Sequence, residues 1–361
     1  MHVSLITEQD QSLWDAYVLS HPDTSPYHLY AWRQACESAY GLTCYYFAAR
    51  NDSGIVGVLP LAQINPPFSK SKGVLCSLPY CDLGAPLADD TETKQALLTA
   101  AFELAQRLGI SRLDIRDTHT TADSRAEEPA PGSKVRMVLK LPESAEALAK
   151  SYKAKRRSQI RKAEKNGVSF HFAQDAAAID DFYDVISRNM HALGSPTHSL
   201  KWFQAIHRHF KDNLKLGIVS YDNQVIGAAA LLLSGKTATV PWASTLSDFN
   251  HLAPNMLLYW GLLEFTANNG FMTFDFGRST VGEGTYKFKK QWGAQPVALD
   301  WQQFQPNGQH ILITPSRSSL NRGSSNHRPS KIRSMIEKLW RQLPLPVSIF
   351  LGSKIRRYIS L

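Results

Sequence analysis

Tyr45-Tyr46-Phe47-Ala48-Ala49-Arg50, then Asn51-Asp52-Ser53-Gly54, then Ile55-Val56-Gly57-Val58-Leu59-Pro60-Leu61 reads as two strands joined by a tight turn. The design returns in the second half of the chain. There Leu216-Gly217-Ile218-Val219-Ser220-Tyr221 is joined through Asp222-Asn223-Gln224 to Val225-Ile226-Gly227-Ala228-Ala229-Ala230-Leu231. Apolar runs separated by Asn and Asp, which tolerate the backbone of a turn, are the signal of a hairpin. Gly57 and Gly227 hold matching places early in the second strand, where a glycine marks a bulge.

The likeness continues downstream. Gln95–Leu108 is a helical pattern stopped by Gly109 and followed by the strand-like Arg112-Leu113-Asp114-Ile115. Asn255–Asn269 has Pro254 at its start and Gly270 after it, and Thr273-Phe274-Asp275-Phe276 follows. Proline before and glycine after is the punctuation of a helix. Matched features in one order predict two tandem copies of a mixed α/β (α+β) unit.

The chain has 361 residues, 43% hydrophobic and 20% charged, enough for sizeable cores and inconsistent with disorder or a disulfide scaffold. The longest apolar run, Ala228–Leu233, is strand-sized. The first twenty residues carry Glu8, Asp10 and Asp15 without Lys or Arg, unlike a secretory leader, so a cytoplasmic protein is expected. Cys36, Cys44, Cys76 and Cys81 lack metal-ligand spacing, and His207 and His209 are not one helical turn apart, so no metal site is expected.

The net charge of +9 is localised. Residues 306–361 hold ten Lys and Arg against Glu337, which leaves 1–305 neutral. Arg317–Ser330 reads as a linker. Beyond it Ile332, Met335, Ile336, Leu339 and Leu343 form an apolar stripe flanked by cations, a pattern suited to an anionic membrane face. A second basic segment, Ser144–Asn166, reads as one helix capped by Ser144 and stopped by Gly167. From Lys150 to Lys165 eight cations face one acid, Glu164, so Arg156, Arg157 and Arg161 are candidates to bind phosphate. The expected organisation is 1–143, a first unit; 144–305, the basic linking helix and second unit; and 306–361, a basic amphipathic tail.

Ser158-Gln159-Ile160-Arg161-Lys162-Ala163-Glu164-Lys165-Asn166-Gly167-Val168 resembles the linker-helix signature of the FemAB-like transferases. Asp275-Phe276-Gly277-Arg278-Ser279-Thr280 and Gly284-Thr285-Tyr286-Lys287-Phe288-Lys289-Lys290-Gln291-Trp292-Gly293-Ala294 resemble the FemAB-related proteins associated with PEP-CTERM/exosortase systems, whose domain is described as BioF2-like acetyltransferase. Ser195-Pro196, Trp202-Phe203, Pro254-Asn255, Ser77-Leu78-Pro79-Tyr80 and Leu343-Pro344-Leu345-Pro346 fit the same pattern. The resemblance implies two tandem GNAT-like acyltransferase folds. It also implies acyl or aminoacyl transfer from aminoacyl-tRNA or acyl-CoA, with no bound cofactor, to a cell-envelope or exopolysaccharide precursor at the inner face of the cytoplasmic membrane. Phe249–Asn255 lacks the glycine-rich loop that cradles the pyrophosphate of coenzyme A, which weakens acyl-CoA in its usual pose. The competing expectation is a catalytically degenerate tandem GNAT that only binds RNA or lipid-linked phosphate.

Acyl transfer needs a neutral nucleophile, oxyanion stabilisation and a route for the proton. Between Asp275 and Gly293, which reads as a glycine-rich flexible loop, stand the acid Asp275, several cations and the phenol of Tyr286. Lys289 carries over from the family as the group stabilising transition-state charge. Asp275 is the candidate to orient the acceptor amine or take its proton. Arg278, Tyr286 and Lys287 are candidates for substrate or phosphate, and the family's acceptor cleft adds Tyr80 and Asp82.

Overall fold

The computed structural model describes residues 1–67, 72–118, 129–173, 177–311 and 331–360. The first half comprises β1 (His2–Leu5), α1 (Gln11–Ser20), α2 (Tyr30–Tyr40), β2 (Thr43–Asn51), β3 (Gly54–Ile64), β4 (Val74–Cys76), β5 (Leu87–Ala88), α3 (Thr91–Leu108), β6 (Arg112–Thr118) and β7 (Lys134–Lys140). Helices α4 (Ala145–Ser151) and α5 (Ala154–Lys165) lead into the second half. That half comprises β8 (Ser169–Ala173), α6 (Ala178–Ala192), α7 (Leu200–Phe210), β9 (Leu214–Tyr221), β10 (Gln224–Ser234), β11 (Thr237–Thr245), α8 (Pro254–Asn268), β12 (Thr273–Thr280), α9 (Gly284–Gln291) and β13 (Gln295–Phe304). Helices α10 (Lys331–Gln342) and α11 (Leu345–Ile355) follow.

Both hairpins form as their turn chemistry requires. Asp222 and Asn223 both take positive φ, the backbone that lets a two-residue turn match the strand twist. The register of β2 on β3 shifts between Ala49 and Arg50, and that of β10 on β9 between Val225 and Gly227, so each hairpin carries a bulge beside the matched glycine. A Cβ on Gly57 would stand 2.6 Å from Thr93 Cγ2, and one on Gly227 2.7 Å from Thr245 Cγ2. Each copy continues as strand, helix, parallel strand: β4–α3–β6 and β11–α8–β12.

Among the described residues the strands form one sheet of order β1-β2-β3-β4-β6-β13-β7-β12-β11-β10-β9-β8, with β5 paired to β3. Its centre differs from the two consecutive units expected from the sequence. Strand β7, which the sequence places in the first unit, hydrogen-bonds to β12 (Thr273 opposite Lys140) and to β13 (Gln295 opposite Val138). Strand β13 in turn pairs with β6 of the first half, Leu299 opposite Thr118 through Phe304 opposite Leu113. The two copies therefore exchange their last strands.

Helices α2 and α7 pack across the halves, with the Trp32 and Trp202 rings 5.3 Å apart in one cluster that also takes Trp14, Tyr46, Phe182 and Phe210. A second cluster lies under α8, and a third under α3.

The basic segment is two helices rather than one. Tyr152 is extended and buried, its ring 5.5 Å from that of Trp292, and turning this ring inward breaks the helix before Lys153. Ser144 caps the first helix as expected, its hydroxyl accepting the Ala147 N–H. The expected flexible loop after β12 is mostly helix α9, bracketed by Gly282 and Gly293 at positive φ.

The tail docks rather than hangs. The inner face of α11 carries the small buried residues Ser348 and Gly352, and a Cβ on Gly352 would stand 2.9 Å from the Thr197 nitrogen. Its large residues Val347, Phe350, Leu351 and Ile355 face outward. The final turn is fastened to the body: Tyr80 N–H donates to Ser360 O at 2.6 Å, Tyr80 Oη–H to Arg357 O at 2.7 Å, and Arg357 to Tyr40 O at 2.8 Å. The Arg317–Ser330 linker lies outside the described residues.

Candidate functional site

Parallel strands β11 and β12 are paired from Thr237 opposite Thr273 to Thr239 opposite Asp275, and there the ladder stops. On the other side of β12 a bulge separates Asp275 from Arg278 in the pairing with β7. Gly277 supplies the positive φ of this bulge, and Asp275 Oδ1 accepts the Gly277 N–H at 2.9 Å. Val240–Trp242 and Phe276–Arg278 diverge and form two walls of a cleft of about 270 Å³.

The matching wedge in the first copy is filled. Strands β4 and β6 pair up to Cys76 opposite Asp114, and the loop from Ser77 to Gly84 then folds back into the gap. Buried Arg116 ties it, donating to Leu78 O, Cys81 O and Ser360 O. Leu78 and Tyr80 hold positive φ without being glycine, a strained backbone that these bonds over-determine. One wedge is plugged and one is open.

Lys289 is 8% exposed in the wall of the open cleft. Its position on α9 puts Nζ 3.2 Å from Gly277 O and 2.9 Å from Arg278 O, so the bulge carbonyls take two of its three hydrogens. Burial pulls its pKa down to about 8, against the nearby Asp275 and Asp82 carboxylates, which favour the charged form. The Arg278 Nε stands 3.5 Å from Asp82 Oδ1, and the guanidinium lies 5.4 Å from the Trp301 ring centre. Burial raises the Asp82 pKa, although the Arg278 charge opposes it. Arg356, from the end of the tail, also lines the cleft, 5.7 Å from the Tyr80 ring centre.

Of the residues singled out from the sequence, Lys289, Arg278, Tyr80 and Asp82 meet in this cleft. Asp275 stands behind it, 1% exposed, bound to Arg136 Nη2 at 2.7 Å and Nε at 3.1 Å; the pair fixes the bulge from inside the sheet. Tyr286 is buried in the core under α8, and Lys287 is exposed; neither lines the cleft. Arg156 lines a separate groove of about 830 Å³ with Lys153, Lys155 and Lys290, its guanidinium 5.0 Å from the Trp292 ring centre. On the same helix Arg157 is tied to Tyr152 O, and Arg161 to Arg157 O at 3.3 Å. Sequence reasoning missed Arg136, His198 and Arg356. The pairing of β7 with β12 reveals Arg136, the packing of α7 against α2 reveals His198 and the return of the tail reveals Arg356, and none of these has a local signature.

A model of the acetyltransferase (GNAT) domain matches residues 150–290. The fold is similar to that of FemX, at TM-score 0.65 and 15% identity over 82% of this chain and 95% of that one. It is also similar to a tandem GNAT protein from the clavulanic acid biosynthesis pathway, at TM-score 0.50 and 11% identity over 84% and 98%. A conserved protein of unknown function from Bacteroides thetaiotaomicron aligns at TM-score 0.56 and 10% identity over 83% and 98%. No curated protein sequence matches the chain. The chain has a tandem GNAT fold similar to that of FemX, and the GNAT domain model matches across the basic segment and the second half.

Proposed function

We propose that this tandem GNAT chain is an acyl- or aminoacyltransferase that uses the open wedge of its second copy. The observation that carries the reading is Lys289. A buried ammonium held by two bulge carbonyls, in the wall of the cleft, is a preorganised donor for negative charge developing on an attacked carbonyl. Charge of that kind forms when an amine or hydroxyl attacks an ester or thioester. A base must take the nucleophile's proton, and the carbonyl re-forms as the donor's C–O or C–S bond breaks and its hydroxyl or thiol departs with a proton. Asp82, whose raised pKa brings it toward the range useful for proton transfer, is the carboxylate in the cleft suited to that role. The acceptor is a cell-envelope or exopolysaccharide precursor.

The donor carries phosphate. Arg156, with Lys153 and Lys155 beside it in the groove, gives a basic path on the second copy for aminoacyl-tRNA or acyl-CoA. The test supplies full-length protein with labelled aminoacyl-tRNA or with acyl-CoA and follows transfer to envelope extract. Transfer from one donor identifies it, and transfer from neither rejects the reading. Replacing Arg156, Arg161 and Lys155 with Gln should weaken the apparent affinity for the active donor. Its dependence on log salt should flatten by up to about three, one for each phosphate no longer neutralised. Turnover at saturating donor should persist. An unchanged salt slope would make the helix an ordinary solvated face.

The acceptor is met at an anionic membrane surface. Among the described residues no helix is long and apolar enough to cross a membrane. Of thirteen large apolar side chains exposed among them, seven lie between Met335 and Ile355, on the outer faces of α10 and α11. Lys338, Arg341 and Lys354 are interspersed with them. A helix with small residues inward and Phe350 and Leu351 outward suits an interface. Phe350→Ser with Leu351→Ser should weaken flotation with vesicles containing phosphatidylglycerol by about tenfold or more, since each large side chain contributes ~1.5–3 kcal/mol when buried. Melting temperature and activity on a water-soluble acceptor should stay as in wild type. Unchanged flotation would remove the membrane from the proposal.

A further inference from the structure

His198 lies in the wall of the open cleft, 5% exposed and followed by the start of α7. Its ring stacks on Trp202 at 5.4 Å and meets the Tyr80 ring edge-on at 5.1 Å, with Phe203 and Trp242 also against it. The imidazole is therefore fixed in orientation. Its Nδ1 is 2.8 Å from Tyr40 Oη, and the same oxygen accepts the Ser199 N–H at 3.3 Å. Tyr40 has one hydroxyl hydrogen, and donating it to Nδ1 satisfies all three groups. A hydrogen on Nδ1 instead would leave the phenol hydrogen without that acceptor. Burial and the Arg356 charge depress the imidazole pKa, so the ring is neutral. Its one hydrogen is then on Nε2, and this buried Nε2 has no partner among the described residues. Thr197 Oγ1, from the residue before it and also in the cleft wall, is likewise buried and unpartnered among the described residues.

Two orphaned donors in one wall are costly unless a ligand, or a water that a ligand can displace, accepts from them. Arg278, Arg356 and Lys289 line the same cleft, and its one carboxylate, Asp82, already faces Arg278. We propose that His198 Nε2–H and Thr197 Oγ1–H bind an anionic oxygen, of a carboxylate or a phosphate, carried by the acceptor. The proposal rests on the acyl-transfer reading only in calling that ligand the acceptor. A neutral imidazole used as a fixed donor adds direction to the site without adding to the charge of the cations around it. It also stays a donor across the working pH range, because Tyr40 holds the tautomer.

The test reads the ring directly. In uniformly 15N-labelled full-length protein, two-bond 1H–15N correlations report the tautomer of each histidine, and His198→Gln identifies the His198 signals. His198 should be neutral with its hydrogen on Nε2 from about pH 6 to 8. Its signals should move on titration with inorganic phosphate or with acetate, and whichever probe moves them tells phosphate from carboxylate. The other tautomer, a protonation near neutral pH, or signals that neither probe moves would each overturn the proposal. In the transfer assay, His198→Phe should raise the acceptor KM about ten- to a hundredfold with little change in kcat, and His198→Gln, which keeps an N–H, should stay within about threefold. Should His198→Phe not fold, Thr197→Val and the wild-type spectra still decide. A probe response in a protein that transfers from neither donor would support this site while rejecting the acyl-transfer reading.

Discussion

Replacing Lys289 with Met should abolish most turnover, by about a hundred- to a thousandfold, without lowering the melting temperature. The first half follows from removing the one ammonium held by the bulge carbonyls. The second follows from its burial. A pKa held at about 8 instead of 10.5 means that the charged form is disfavoured in the folded chain by ~3 kcal/mol at neutral pH. Met removes that penalty and leaves two carbonyls without a donor, at about 1–3 kcal/mol each, so the terms roughly cancel. The unfolded chain holds the additional proton between about pH 8 and 10.5. The deficit due to Lys289 is therefore full below pH 8 and vanishes as pH rises through 10.5, and the stability of wild type should rise relative to Lys289→Met across that window. Activity should run the other way, with the charge-dependent part falling above about pH 8 in wild type and persisting to higher pH in Lys289→Arg. A variant with Met that melts far below wild type would make Lys289 a structural residue, as would one with full turnover.

The second large effect falls on stability. Arg136→Ala or Asp275→Ala should each cost about 3–5 kcal/mol in denaturant unfolding, because either leaves a charge stranded inside the sheet. The Asp275 side chain is 2% exposed and that of Arg136 14%. Removing both, as Arg136→Met with Asp275→Leu, should recover part of the loss, though Gly277 N–H then lacks its acceptor. If Asp275 is also the proton acceptor, Asp275→Asn will reduce kcat far more than Arg136→Met does, although both break the same ion pair and lower the unfolding midpoint. The two roles separate cleanly on that pair of measurements.

Much of the fold was legible in the sequence because a duplicated unit announces itself twice. Gly57 and Gly227, Gly109 and Gly270, and Asp114 and Asp275 occupy matching places, and the structure puts bulges beside the first pair and parallel strand ends at the last. The site was legible only where it is local. Lys289 and Arg278 share one motif, whereas Asp82 reaches them through the loop after β4 and Arg356 through the docking of α11. The acid that opens the motif, Asp275, drew the catalytic assignment, but the bulge at Gly277 turns Arg278 into the cleft while Asp275 pairs with Arg136. The basic segment misled for a similar reason. Helical periodicity runs through Tyr152, and nothing local shows that burying its ring stops the helix. The tail's apolar stripe was visible in the sequence. That its helix docks through Ser348 and Gly352, leaving the larger residues outside, depends on partners far away in the chain.

The exchanged final strands impose a timetable on the newborn chain. Strand β6 emerges from the ribosome with Thr118, but its neighbour β13 ends only at Phe304. At about 5–20 residues per second, the delay between them is on the order of ten seconds or more. For that interval the first half has an open sheet edge bearing Leu113 and Ile115, the kind of template that invites pairing with another nascent chain. Strand β7 waits as well, since both β12 and β13 come after it. The halves that look autonomous by duplication therefore finish folding together and late. Rapid synthesis should therefore tax this chain at the exposed edge of β6, before β13 has been made.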